Sequence, residues 1–299
     1  MNKIQNFVQI ISLLAVSCCF FFGSCTEEEM SEKDKAPIEY VDPLLPIELI
    51  AWPEDIDEMG RTEADITIPG FGTPFAMTHW AFQNRVLMDS CDQDFVYSDT
   101  NILNLVPSHS IYQCHSEYAS FRFMLESSDS WTDFTPKALS LKKEISLPHY
   151  FKGFLEEIKA EISISTHDRS ALFEFTFHQQ DTAILVLQPH QKSRHTEINF
   201  YPTSGEIWIK DSLPPSFPGL NSFFLVQTKN IYTDYGIWEG NFVQPKNSKL
   251  SGNNPASGFY LKLAVDSGEV ISFKIGSSYW DHQDARYVLK QEIPDWDAS

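Results

Sequence analysis

Between residues 158 and 177 the chain reads Ile158-Lys159-Ala160-Glu161-Ile162-Ser163-Ile164-Ser165, then Thr166-His167-Asp168-Arg169-Ser170-Ala171, then Leu172-Phe173-Glu174-Phe175-Thr176-Phe177. Ile158, Ala160, Ile162 and Ile164 fall on one face of an extended backbone, and Lys159, Glu161, Ser163 and Ser165 on the other. Phe173, Phe175 and Phe177 repeat the spacing. A period of two marks a half-buried strand, because successive side chains of an extended chain point in opposite directions. Two such runs around a short polar turn predict an antiparallel hairpin. Working outward, residues 183–187 are continuously apolar, which suits a strand buried on both faces. Further strands are expected at 197–201, 206–210, 222–228, 258–265 and 269–276. Turn formers separate them at Gly205, Asn253-Asn254-Pro255 and Asp266-Ser267-Gly268. Short strands without intervening helices predict an all-β fold, mainly an antiparallel β-sandwich. One short helix is expected at the C-terminal end. Asp281 caps it, Ala285, Val288 and Leu289 form its apolar stripe, and Pro294 closes it after Ile293.

Around this body the chain has 299 residues, with 22 Lys plus Arg against 41 Asp plus Glu and a net charge of −19. A surface that acidic repels phosphate backbones and anionic headgroups, so nucleic acid is excluded as a partner. The first 24 residues combine a basic start (Met1-Asn2-Lys3), an apolar run from Phe7 to Phe22, and Gly23-Ser24. That run is shorter than the roughly 20 residues a membrane-crossing helix needs, and the pattern is that of a secretory signal. Gly23-Ser24-Cys25 looks like a bacterial lipobox, which makes Cys25 the expected lipidation site. The acidic Thr26-Glu27-Glu28-Glu29 that follows resembles the surface-export signal of Bacteroidetes-type lipoproteins. Residues 25–38 then read as an acidic tether, 39–278 as the sandwich and 279–299 as a helical linker. The expected location is the outer membrane at the cell surface, held by the lipid anchor alone. Cys91 and Cys114 are the cysteines left in the body, and they read either as a disulfide or as two buried thiols.

The motifs of common active sites are missing: there is no phosphate loop, HExxH, GxSxG or paired CxxC. The nine histidines lack metal-ligand spacing, and no metal site is expected. Acidic residues cluster at Asp55/Asp57 and at Asp89, Asp92, Asp94 and Asp99. Paired carboxylates can serve glycoside hydrolysis or calcium, but in so acidic a chain they read first as solvated loops.

Several segments together resemble one family. They are Tyr40-Val41-Asp42-Pro43, then Ile68-Pro69-Gly70-Phe71-Gly72-Thr73-Pro74-Phe75-Ala76-Met77, Tyr97-Ser98-Asp99 and Ile158-Lys159-Ala160-Glu161-Ile162. Two more close the pattern: Lys274-Ile275-Gly276-Ser277-Ser278-Tyr279 and Glu292-Ile293-Pro294-Asp295-Trp296-Asp297. In order and content they are similar to the N-terminal β-sandwich domain of glycoside hydrolase family 92, whose members are calcium-dependent, inverting exo-α-mannosidases. The chain departs from the family at Met88-Asp89-Ser90-Cys91, which lacks an aromatic residue, and at Leu105-Val106-Pro107-Ser108-His109. The resemblance implies that the general acid, general base and calcium ligands belong to a following (α/α) barrel, which would begin where this sequence stops at Ser299. No catalytic residue and no cofactor are therefore expected on this chain. The implied role is that of a non-catalytic sandwich of an α-mannosidase-like protein, with a mannose-containing glycan and a separate catalytic domain as partners. The alternative is a stand-alone surface lipoprotein that binds glycans. Asp89, Asp99 and His109 are the candidate polar contacts to sugar, and Trp80, Trp208, Trp238 and Trp280 are candidate stacking rings, with Trp238 preferred. Trp238 sits in the turn-rich Tyr235-Gly236-Ile237-Trp238-Glu239-Gly240-Asn241 and is expected to be exposed, whereas Trp208, inside a strand pattern, is expected to be buried.

Overall fold

The computed structural model describes Pro43 and residues 70–73, 76–83, 101–108, 120–127, 137–190, 193–212 and 219–296. The chain divides into two units, Met1–Tyr40 and Val41–Ser299, and every described residue belongs to the second. The first strands are β1 (His79–Gln83), β2 (Asn101–Ile102), β3 (Asn104–Ser108), β4 (Phe121–Ser127), β5 (Leu139–Leu147) and β6 (Tyr150–Leu155). The opening hairpin is β7 (Ala160–Thr166) and β8 (Ser170–Phe177), paired with Ile164 opposite Phe173 and Ile162 opposite Phe175. Then come β9 (Asp181–Pro189), β10 (His195–Tyr201), β11 (Glu206–Ser212), β12 (Asn221–Thr228), β13 (Tyr232–Glu239) and β14 (Phe242–Pro245). The last are β15 (Lys249–Gly252), β16 (Ser257–Val265), β17 (Val270–Ser278) and the helix α1 (His282–Glu292). Each strand expected from the alternation is present, with ends displaced by a residue or two. The structure adds β1–β6 and β13–β15, whose sequences lack a clean period of two.

The strands form two antiparallel sheets, a seven-stranded one in the order β1-β3-β4-β9-β16-β13-β14 and a ten-stranded one in the order β15-β10-β11-β12-β17-β8-β7-β6-β5-β2. Their facing sides make one core. Trp80 of β1 and Phe123 of β4, from the smaller sheet, meet Phe173 of β8 from the larger at centroid distances of 5.0 and 4.9 Å, both edge to face. Edge-to-face geometry sets the positive rim of one ring against the negative face of another, adding about 1 kcal/mol to the area buried. All three side chains are almost fully buried. The segment around Gly70-Phe71-Gly72 straps one end of this core. Phe71 N and O pair with Trp80 O and N, and Gly72 N donates to Pro148 O. A Cβ at Gly72 would lie 2.7 Å from the His79 ring, so the glycine lets the strap lie against that ring without displacing it.

One inward-facing row across β10, β11 and β12 is polar. Thr196 of β10 stands opposite Asp211 of β11, which stands opposite Ser222 of β12. Thr196 Oγ1 donates to Asp211 Oδ1 at 2.5 Å, and the Ser222 hydroxyl bonds that of Ser120 at 2.8 Å. Asp211 is fully buried, and burial pushes its carboxyl up to about 7 against the opposing hydroxyls of Thr196 and Ser193.

Candidate functional site

The outer face of the ten-stranded sheet carries α1. Asp281 Oδ1 accepts the Asp284 N–H at 2.8 Å as the N-cap, Ile293 is the C-cap, and Pro294 follows. The stripe of Ala285 and Leu289, continued by Ile293, packs on Leu172 of β8 and Leu225 of β12, with Trp208 and Trp296 against its edges. Gly276 of β17 faces outward beneath it, and a Cβ there would stand 2.6 Å from Ala285 O. The glycine of the closing motif is thus the spot where helix backbone meets sheet backbone.

The two halves of that motif touch. Lys274 Nζ donates to Ile293 O at 2.9 Å and to Pro294 O at 3.4 Å, and lies 4.3 Å from the centroid of the Trp296 ring. Lys274 is buried, and burial holds its amine below the ordinary lysine value, with the Asp295 charge opposing. Glu292 Oε2 accepts from Arg169 N at 3.1 Å and from Ser170 Oγ at 2.7 Å. Arg169 also pairs with Asp284 at 3.2 Å, which ties the β7–β8 turn to both ends of α1. Further along, Arg286 pairs with Glu206, which also accepts from Trp208 Nε1 and Gln227 Nε2. Burial alone would raise the Glu206 carboxyl, but these three donors together hold it below the usual carboxylate value. The helix and the residues after it, up to Trp296, are therefore packed onto the sandwich.

Where α1 ends, a concave site of about 460 Å³ opens between the helix and the turns β5–β6 and β7–β8. Its polar lining comes from His149, Tyr150, Ser165, Thr166, His167, Glu292 and Asp295. Leu172, Ile293 and Pro294 supply the apolar part. Nothing in the sequence marked these residues as a group, since they come from three segments up to 146 positions apart. Among the described residues no group of three or more His, Cys, Asp or Glu is arranged to hold a metal ion.

The expected sugar contacts fare differently. Asp89, Asp99 and His109 lie outside the described residues, as do Cys25, Cys91 and Cys114. Trp238 corrects the expectation of an exposed ring: it is 0 % exposed. Its segment is strand β13, which places the ring on the outer face of the seven-stranded sheet with Ile184, Val186 and Tyr260. The ring fills the space over Gly258 of β16, where a Cβ would lie 2.2 Å from Trp238 Cη2. The missing side chain at Gly258, opposite Trp238 in the register, is what makes the slot. Trp208 is partly buried, stacked on His282 at 4.9 Å and 26°. Among the described tryptophans Trp280 is the exposed one, at 82 %.

Fold and lock together define a two-sheet antiparallel β-sandwich module with a helix fastened across its larger sheet. The sequence matches the model of the glycosyl hydrolase family 92 N-terminal domain over residues 59–278, and the chain belongs to that family. Solved structures of the family share the fold. The family 92 inverting mannosidase BT2199 from Bacteroides thetaiotaomicron VPI-5482 is 17 % identical, with a TM-score of 0.71 over 88 % of this chain and 34 % of that one. The α-mannosidase BT3965 from Bacteroides thetaiotaomicron, in complex with mannoimidazole, is 13 % identical, with a TM-score of 0.67 over 86 % and 34 %. The family 92 glycosyl hydrolase ccman5 is 12 % identical, with a TM-score of 0.57 over 78 % and 33 %. The chain spans about a third of the length of these proteins, corresponding to their N-terminal part. No curated protein matches the sequence.

Proposed function

We propose that this chain is the non-catalytic sandwich of an α-mannosidase-like glycoside hydrolase, held at the outer surface of the outer membrane through a lipid on Cys25. The observation that carries the reading is the match of residues 59–278 to the family's N-terminal domain, supported by a fold similar to the N-terminal third of an inverting mannosidase. Inverting hydrolysis needs an acid and a base held across the scissile bond, with room for a water. In this reading a separate barrel domain supplies that pair and the calcium, and the sandwich supplies the platform. The ligand is a mannose-containing glycan, with Asp89, Asp99 and His109 as its polar contacts. Trp238 is excluded by its burial.

The test is proton NMR of the full chain with α-1,2-linked manno-oligosaccharides and calcium, following the anomeric signals. The chain alone is expected to release no mannose. Release would place an acid and a base within this chain and sink the reading. A Cys25→Ser variant is expected to lose incorporation of labelled fatty acid. Saturation transfer in the same tube reports glycan binding, which both this reading and the alternative of a stand-alone surface lipoprotein that binds glycans expect, so release of mannose is the result that decides.

A further inference from the structure

The cavity at the end of α1 concentrates hydrogen-bonding capacity that the protein leaves unused. The ring nitrogens of His149 and His167, the Tyr150 hydroxyl, Ser165 Oγ and the Asp295 carboxylate line it without a hydrogen-bond partner among the described residues. Glu292 binds Arg169 and Ser170 through Oε2, which fixes the carboxylate and leaves Oε1 without a partner among the described residues. Burial and nearby carboxylates raise the Tyr150 hydroxyl above the ordinary tyrosine value, so it stays protonated and donates. The lining therefore mixes donors with acceptors, set beside the apolar surface of Leu172 and Pro294.

Ligand classes separate on this chemistry. No Lys or Arg lines the cavity and two carboxylates do, so the lining itself offers an anion no charged donor. A metal ion lacks its ligand set. A wholly apolar ligand would strip water from six polar groups and return no hydrogen bonds. A ring with several hydroxyls and a C–H face meets both requirements, since each hydroxyl donates and accepts. The volume, about 460 Å³, lies within the range of small-molecule sites.

We propose that the cavity between α1 and the β5–β6 and β7–β8 turns binds one neutral sugar residue. The preference for a neutral polyhydroxylic ligand follows from the lining, and the choice of mannose as first probe rests on the proposed function. Glu292 is the pre-set acceptor, Tyr150 and Asp295 add a donor and a further acceptor, and Pro294 offers apolar surface to a C–H face.

The test is amide NMR of the deuterated, ¹⁵N-labelled full chain in a sugar-free detergent, titrated with methyl α-mannoside. Galacturonate and glucosamine serve as anionic and cationic comparisons. Saturable shifts confined to the amides of residues 149–150, 165–167, 292–293 and 295 are expected with the neutral sugar. Tyr150→Phe and Asp295→Ala should each weaken binding about fivefold, the worth of one hydrogen bond, with all remote amides unmoved. Absence of saturable shifts, shifts elsewhere only, or a stronger response to either charged sugar would overturn the proposal. Cleavage of manno-oligosaccharides is read separately, so failure of one result leaves the other standing.

Discussion

Replacing Asp211 by Asn isolates the cost of one buried carboxyl. Asp211 lies inside the sandwich at 0 % exposure, and burial moves its pKa from 3.8 to about 7. Below pH 3.8 the group is neutral in folded and unfolded chains alike, and its contribution to stability is fully present. Between pH 3.8 and about 7 the unfolded chain ionises while the folded one holds its proton, so stability is lost as pH rises. Above 7 the loss is complete. At about 1.4 kcal/mol per pKa unit it amounts to on the order of 4 kcal/mol. Asparagine keeps an oxygen to accept from Thr196 Oγ1 and cannot ionise. The wild type and Asp211→Asn are therefore expected to unfold at similar urea concentrations near pH 4. By pH 8 the variant should be ahead by about 2–4 kcal/mol, allowing for water reaching the ionised group. Urea titrations followed by tryptophan fluorescence at pH 4, 6 and 8 measure this, and pH effects common to both chains cancel in the difference. A difference that stays constant from pH 4 to pH 8 would refute the argument. That result would mean the folded carboxyl titrates where the unfolded one does.

Two further outcomes are expected. Gly276→Val places carbon where Ala285 O already sits 2.6 Å from an ideal Cβ, so α1 must lift off the sheet. The cost is about 1–3 kcal/mol, and limited proteolysis should then cut within residues 279–296 before the sandwich unfolds. Trp238→Ala empties the slot over Gly258 and costs about 3–5 kcal/mol. At a temperature where the variant is still folded, its retention on immobilised glycan should equal that of the wild type. A selective loss of retention would contradict the buried position.

The residues that were legible in the sequence are those whose environment is set by their neighbours along the chain. Ile162, Ile164, Phe173 and Phe175 announce a strand because period two follows from backbone geometry, and they stand in the register the hairpin requires. The helix was legible for the same reason: Asp281, the stripe of Ala285, Val288 and Leu289, and Pro294 are local signals. Strand β4 was not legible, since Phe121–Ser127 is buried at every position and shows no alternation. Trp238 was misread because its surroundings are supplied by Gly258, twenty residues away and adjacent only through pairing of β13 with β16.

The same division runs through the candidate site. The sequence alone determined that the chain builds antiparallel strands with a capped helix behind them, and its ordered motifs pointed to the family. Only the tertiary structure decided what those motifs do. Lys274 and Glu292 read as two ends of a pattern, yet one grips the carbonyls behind α1 while the other is gripped by the β7–β8 turn. Burial, a shared cavity and a shifted carboxyl are properties of neighbours in space. His149, Ser165 and Asp295 become neighbours once the sheet has brought β6 and β7 side by side and α1 has been laid across it.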